Sequence, residues 1–271
     1  MRSVPASLFG LSLALAACHV DRTVPVSPSD RAMAVQAVAE AAPAAQTRVY
    51  RCHRAEAMPP LQGDFTDGPW AQAEWTEDFL PARRTGPETG IRTRAKLLWD
   101  DAYLYCAIEM AEPPGPAPDD ALAVRHNVDL LVARSGDEGG YQIELVAMSS
   151  IIDSWFAGPR MHRSRDAYWD AEGLQTLVCR RKDAADGRWT AGFALPWRSL
   201  RGDGAVDGAA SGGAPPVAGS AWRVDLGRST WRPMLRGRRA GTGQTAFERT
   251  VWQTPGEPGE PDGWGLVEFL P

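Results

Sequence analysis

The side chains best suited to recognition chemistry lie in the middle of the chain. Asp129 and Glu144 sit inside two short apolar runs, Val128 to Ala133 and Tyr141 to Ala147, and Asp153 follows shortly after. Carboxylates on strands face solvent, ligate a structural calcium ion, or accept hydrogen bonds from a polar ligand. Trp155 and Trp169, with Tyr168, Arg160 and Arg165, belong to Ile151 to Gly173, which reads as a long irregular excursion. Loops of that length either carry binding residues or fold their aromatics back over a sheet edge. Asp129, Glu144, Trp155 and Trp169 are therefore the candidate ligand-binding residues, with both tryptophans expected to be exposed. Catalytic patterns are missing from the sequence: it has no G-x-S-x-G, H-E-x-x-H, Walker A or C-x-x-C, and His19, His53, His126 and His162 are scattered. A glycosidase needs two carboxylates flanking one bond, and a chain this rich in Asp and Glu supplies such pairs by coincidence. Binding ranks above catalysis, and no catalytic residue is nominated.

These residues need a rigid frame, and Arg92 to Met110 shows its type. Ala95, Leu97 and Trp99 alternate with Arg94, Lys96 and Leu98. Beyond an acidic turn at Asp100-Asp101, Leu104, Cys106, Ile108 and Met110 alternate with Tyr105, Ala107 and Glu109. A period of two over that length predicts a half-buried β-hairpin. A second hairpin is expected through the acidic, glycine-rich Ser135 to Gly140. Further strands are expected at Leu174 to Arg180, Arg188 to Leu195, Trp222 to Arg228 and Trp264 to Phe269. About ten short strands separated by Gly, Pro and Asp turns give an all-β, antiparallel two-sheet sandwich. Trp70, Trp99 and Trp197 are expected in its core. Leu200 to Ala221 reads as a flexible Gly, Ala and Pro insertion, and Arg232 to Arg239 as an exposed basic cluster. Net charge is −5 and Lys96 and Lys182 are the only lysines, so nucleic acid is not an expected partner.

The N-terminus reads as a lipoprotein signal peptide over residues 1–17. Arg2 supplies the positive charge, Leu8 to Leu15 an apolar segment too short to span a bilayer, and Leu15-Ala16-Ala17-Cys18 resembles a lipobox. On that reading Cys18 is lipidated, residues 18–48 form a tether reaching roughly 30 Å, and the folded domain occupies 49–271. The membrane is then a partner through the lipid anchor, and the expected location is the cell envelope, at the outer membrane of a Gram-negative bacterium. Among the remaining cysteines, Cys106 reads as a small buried hydrophobe, and a Cys52 to Cys179 disulfide is one pairing the sequence allows.

Taken in order, LLWDDAYLYCAIEM, NVDLLV, GYQIELVAM, RWTAGFALPWRSL, WRVDLGRSTW and DGWGLVEF resemble the family 9 carbohydrate-binding module, from about Val49 to Pro271. The likeness is greatest to an uncharacterised bacterial branch whose middle strand reads like YYELEINA. The family's D-G...W opening is matched by Gln62-Gly63 with Trp70, and its V-E-[IV]-F strand by Val128-Asp129-Leu130-Leu131. The resemblance implies a β-sandwich, a polysaccharide or other glycan as partner, and no obligatory cofactor. It also implies a loss. The two tryptophans that clamp a terminal sugar correspond to Ala123 and Pro258, while Asp129 and Glu144 occupy the polar ligand positions, Glu144 in place of an arginine. Three function classes follow: a non-catalytic glycan-binding envelope lipoprotein, a structural or interaction sandwich that has lost the sugar site, and a haem-binding sandwich with Met148 and His162 as axial ligands.

Overall fold

The computed structural model describes residues 47–82, 92–111, 127–134, 137, 139–146, 150–157, 165–180, 188–200, 213–233, 245–253 and 263–271. The signal peptide, Cys18, Ala123, Met148, Arg160, His162, Pro258 and most of the basic cluster lie outside these residues. The described residues form thirteen strands: β1 Val49–Arg54, β2 Leu80–Pro81, β3 Thr93–Trp99, β4 Tyr103–Met110, β5 Asn127–Ala133, β6 Gly140–Val146, β7 Ile151–Phe156, β8 Arg165–Asp166, β9 Gln175–Arg180, β10 Trp189–Pro196, β11 Ala221–Pro233, β12 Thr245–Val251 and β13 Gly265–Phe269.

The strands run in the order β8-β7-β6-β5-β11-β13-β1-β3-β4-β10-β9, with β12 beside β11 and β2 beside β12. The path folds over at β1. Its first half pairs with β13, placing Cys52 opposite Phe269, and its second half pairs with β3, placing His53 opposite Leu98. Both pairings are parallel, whereas the other ladders are antiparallel. The expected two-sheet sandwich is present, with one strand shared between its layers.

The hairpin follows its sequence pattern closely. Asp100 Oδ1 accepts the backbone N–H groups of Ala102 (2.7 Å) and Tyr103 (2.8 Å), so a short carboxylate closes the turn. Ala95, Leu97, Trp99, Leu104, Cys106 and Ile108 then point between the sheets, where Val128, Leu130, Val132, Ile143, Leu145, Val224 and Leu226 meet them. Trp197, Trp222, Trp99 and Phe269 interlock edge-to-face at centroid distances of 5.2–5.9 Å. Burial of Trp99 and Trp197 in this core agrees with the sequence reading.

Several expectations are corrected. The hairpin is buried on both faces, because Ala55, Phe65, Trp70 and Ala73 pack over Leu98, Tyr105, Ala107 and Ala194. Trp70 is fully buried as expected, but in this second cluster on the outside of the second sheet, and its indole donates to the Pro60 carbonyl (2.7 Å). The excursion from Ile151 begins as strand β7, which pairs with β6 over Gly140 to Leu145. Arg48, read as tether, is bonded into the fold: its N–H donates to Gln253 Oε1 (2.8 Å) and its guanidinium to the Trp252 carbonyl. The three described cysteines are free. Cys52 on β1 and Cys179 on β9 are four strand spacings apart, about 19 Å at ~4.8 Å each, beyond disulfide reach.

Among the described residues no helix is long and apolar enough to cross a membrane.

Candidate functional site

The alternation that buries Val128, Leu130 and Val132 turns Asn127, Asp129 and Leu131 to the outside of the first sheet. The ladders align polar residues with them. Asp129 lies opposite Glu144 of β6 and Gly227 of β11, and Asn127 lies opposite Ser229, which faces Arg249 of β12. One polar row therefore crosses β12, β11, β5 and β6.

Asp129 is its deepest member, at 1% exposure. Its Oδ2 accepts from Arg249 Nη1, which also donates to Ser229 Oγ (3.1 Å), and its Oδ1 lies 3.5 Å from Gln142 Nε2. Gly227 lies beneath the guanidinium. A Cβ there would stand 2.7 Å from Arg249 Nη2 and 2.9 Å from Asp129 Oδ2, so the missing side chain gives the ion pair its passage over β11. With both oxygens engaged and almost no surface, Asp129 holds Arg249 and Gln142 in position.

Glu144 is half-buried, and its Oε1 accepts from Asn127 Nδ2. Desolvation pushes its carboxyl pKa up, and the adjacent Asp129 pushes it further; the Asn127 hydrogen bond, Arg249 and Arg165 oppose this without cancelling it. Asp225, two residues before Gly227, is raised to about 7, chiefly by burial and against a hydrogen bond from the Gln253 N–H (3.1 Å). Asn127 Oδ1 and Arg249 Nε are buried without a hydrogen-bond partner among the described residues. The row thus holds one unmatched acceptor and one unmatched donor among the described residues, both closed off from solvent.

The two predicted tryptophans do not join this row. Trp155 alternates with Ser154 and packs on the core side of β7. Trp169 is 7% exposed, lies against Tyr141 (4.9 Å between centroids) and donates to the Ser199 carbonyl (3.0 Å). Its expected exposure is not found, because the chain after β8 turns under the sheet edge. Asp153 accepts the Ala171 N–H (2.7 Å) and fixes that turn. The exposed aromatic of the segment is Tyr168, at 98% exposure, held by an Asp166 carboxylate that accepts its N–H (3.0 Å). Three residues earlier, Arg165 reaches the outer face and donates to Ser154 Oγ (2.8 Å).

Arg249, Gln142, Asn127 and Gly227 escaped the sequence reading. Arg249 and Asp129 are 120 residues apart, and β12 has no apolar run to announce it. Among the described residues no group of three or more His, Cys, Asp or Glu could hold a metal ion.

A family 9 carbohydrate-binding module from Caldicellulosiruptor kristjanssonii, solved with cellotriose, superposes on this chain with a TM-score of 0.50 at 15% identity, covering 82% of this chain and 94% of the module. The fold is the family 9 fold. A candidate carbohydrate-binding protein from Bacteroides uniformis superposes with a TM-score of 0.54 at 8% identity, covering 83% of this chain and 100% of its own. No family model matches the sequence, and no curated protein matches it. Within the family 9 fold, the outer row of the first sheet is the place where unmatched polar groups, an ion pair and a glycine cradle come together.

Proposed function

We propose that this chain is a non-catalytic carbohydrate-binding protein of the cell envelope, anchored through Cys18, which holds a glycan on the outer face of its first sheet. The observation that carries this reading is the Arg249–Asp129–Gln142 and Asn127–Glu144 network. It is a prepositioned set of donors and acceptors, half-buried and partly unmatched, on a fold whose solved relatives include a module complexed with cellotriose. Such sets fix the orientation of a hydroxyl-rich ligand, while apolar contact supplies much of the affinity. Asp129 supports the network from below, Glu144, Gln142, Asn127 and Arg249 offer the contacts, and Tyr168 offers a free aromatic face. The two carboxylates do not make a hydrolytic pair, since Asp129 is too deep to reach a scissile bond and both its oxygens are taken.

Calorimetric titration with cello-, xylo- and glucosamine-based oligosaccharides tests the reading. Binding of at least one series, weakened tenfold or more by Glu144→Ala, is expected. Failure of all three, or binding indifferent to Glu144, would contradict it and favour an interaction module.

A further inference from the structure

The three described cysteines differ in their surroundings. Cys52 and Cys106 are closed into the core, where burial pushes both thiols up and away from the reactive thiolate. Cys179 is half-buried and free on β9, directly across from Thr190 of β10. Because Val178, Trp189 and Ala191 take the core side, Cys179 and Thr190 face outward together. The chain from Pro60 to Trp70 arches over them. Its start rests on β10, where a Cβ on Gly192 would stand 2.7 Å from the Leu61 carbonyl oxygen, and its end is fixed by the Trp70 indole bonded back to Pro60. Between the arch and the strands lies a cleft of about 700 Å³, lined in part by Gln62, Asp67, Cys179 and Thr190. That volume suits a small molecule. Thr190 is 5% exposed, and its hydroxyl has no hydrogen-bond partner among the described residues. Its other cross-strand neighbour, Glu109, is taken up by Arg94 (2.8 Å) and Arg188 (3.0 Å). A free thiol and a buried, unspent hydroxyl therefore face one cavity.

We propose that Cys179 is a thiolation site, which exchanges with a small disulfide and holds the half it retains in this cleft, hydrogen-bonded to Thr190. Neither core thiol can reach Cys179, since both point to the opposite face of the sheet, so its disulfide partner comes from outside the chain. In the exchange the Cys179 thiolate attacks one sulfur of the disulfide. The new S–S bond forms as the old one breaks, and the other half leaves as a thiolate that takes up the proton given up by Cys179. Cys179 is oxidised, the leaving half is reduced, and no further oxidant is needed. Cross-strand Cβ atoms stand about 4.5–5.5 Å apart, which puts the Thr190 hydroxyl within reach of a carbonyl or carboxylate a few bonds beyond the bridging sulfur. The cleft lies on the second sheet, and the inference does not rest on the glycan-binding reading.

The test is equilibration of the full chain in mixtures of reduced and oxidised glutathione, followed by peptide mapping in a mass spectrometer. In the folded protein Cys179 is expected to carry the glutathionyl group while Cys52 and Cys106 stay reduced, and those two should react once urea unfolds the chain. Any accessible thiol reacts to some extent, so the deciding quantity is the exchange constant. At Cys179 it should favour the adduct about fivefold more in the folded chain than in the unfolded one, the worth of a hydrogen bond of ordinary strength. Thr190→Val should remove that advantage and Thr190→Ser should keep it. Equal constants in the folded and unfolded chains, or an advantage that survives Thr190→Val, would overturn the proposal. So would a Cys179-linked dimer in place of the adduct, because the partner would then be a second chain.

Discussion

Replacing Arg249 by Met leaves the Asp129 carboxylate at 1% exposure without its cation, keeping only the 3.5 Å approach of Gln142. The Arg249 side chain is itself only 21% exposed, so solvent screening discounts the pair little. Removing one partner of a buried pair costs about 3–5 kcal/mol, because the remaining charge stays desolvated. Methionine retains the apolar stem, which separates this effect from lost packing. For a domain of this size, about 2–4 °C of melting temperature corresponds to each kcal/mol, so Arg249→Met should lower the midpoint by roughly 6–20 °C. Asp129→Asn in the same background removes the stranded charge and should recover about half or more of the loss. The assay is a double-mutant cycle in urea, with a coupling energy of about 2 kcal/mol or more expected. A single-mutant loss under about 0.5 kcal/mol, or additive behaviour in the cycle, would refute the view that the site is built on this ion pair.

Trp99→Ala should cost about 3–5 kcal/mol in urea unfolding, and Trp155→Ala distinctly less, since Trp155 packs only partly buried at the core's edge. Asp225 has a folded pKa of about 7, above its ordinary 3.8, so the folded state holds its proton to higher pH. That contribution is fully present below about pH 4 and is lost as pH rises through about 7. Asp225→Asn should therefore flatten the stability profile between those limits, as thermal melts across pH would show. Cys18→Ala should release the protein from the membrane fraction or leave it unprocessed, and unchanged fractionation and mass would refute the anchor.

The fold was legible where alternating residues mark the core face of a strand. In β3 and β4 Ala95, Leu97, Trp99, Leu104, Cys106 and Ile108 do face the core, although the other face is covered as well, and the Asp100 turn is local chemistry within four residues. Strand β1 carried a shorter form of the same signal, with Tyr50 and Cys52 inward between exposed neighbours, but six residues beside a polar N-terminal stretch did not stand out. Strand β12 was hidden because its role is set by partners: Gly227, Ser229 and Asp129 become its neighbours only through long-range pairing. The site was half visible for the same reason. Asp129 and Glu144 stood out as carboxylates interrupting apolar strands, whereas Arg249 looked like one surface arginine among many. Trp155 and Trp169 misled because a tryptophan in a loop-like segment signals an exposed platform or an edge seal equally well. Only the burial of the Trp169 indole against Tyr141 separates the two.

The measurement closest to the central claim is a 15N NMR titration of the protein with cellotriose and with a glucosamine trimer. The outer-row account predicts shifts concentrated at Asn127, Gln142, Glu144, Gly227 and Arg249, with Trp99 and Trp197 unmoved. Shifts clustered instead on the opposite sheet, around the cleft formed by Gln62, Asp64, Asp67 and Thr190, or no shifts at millimolar sugar, would contradict it.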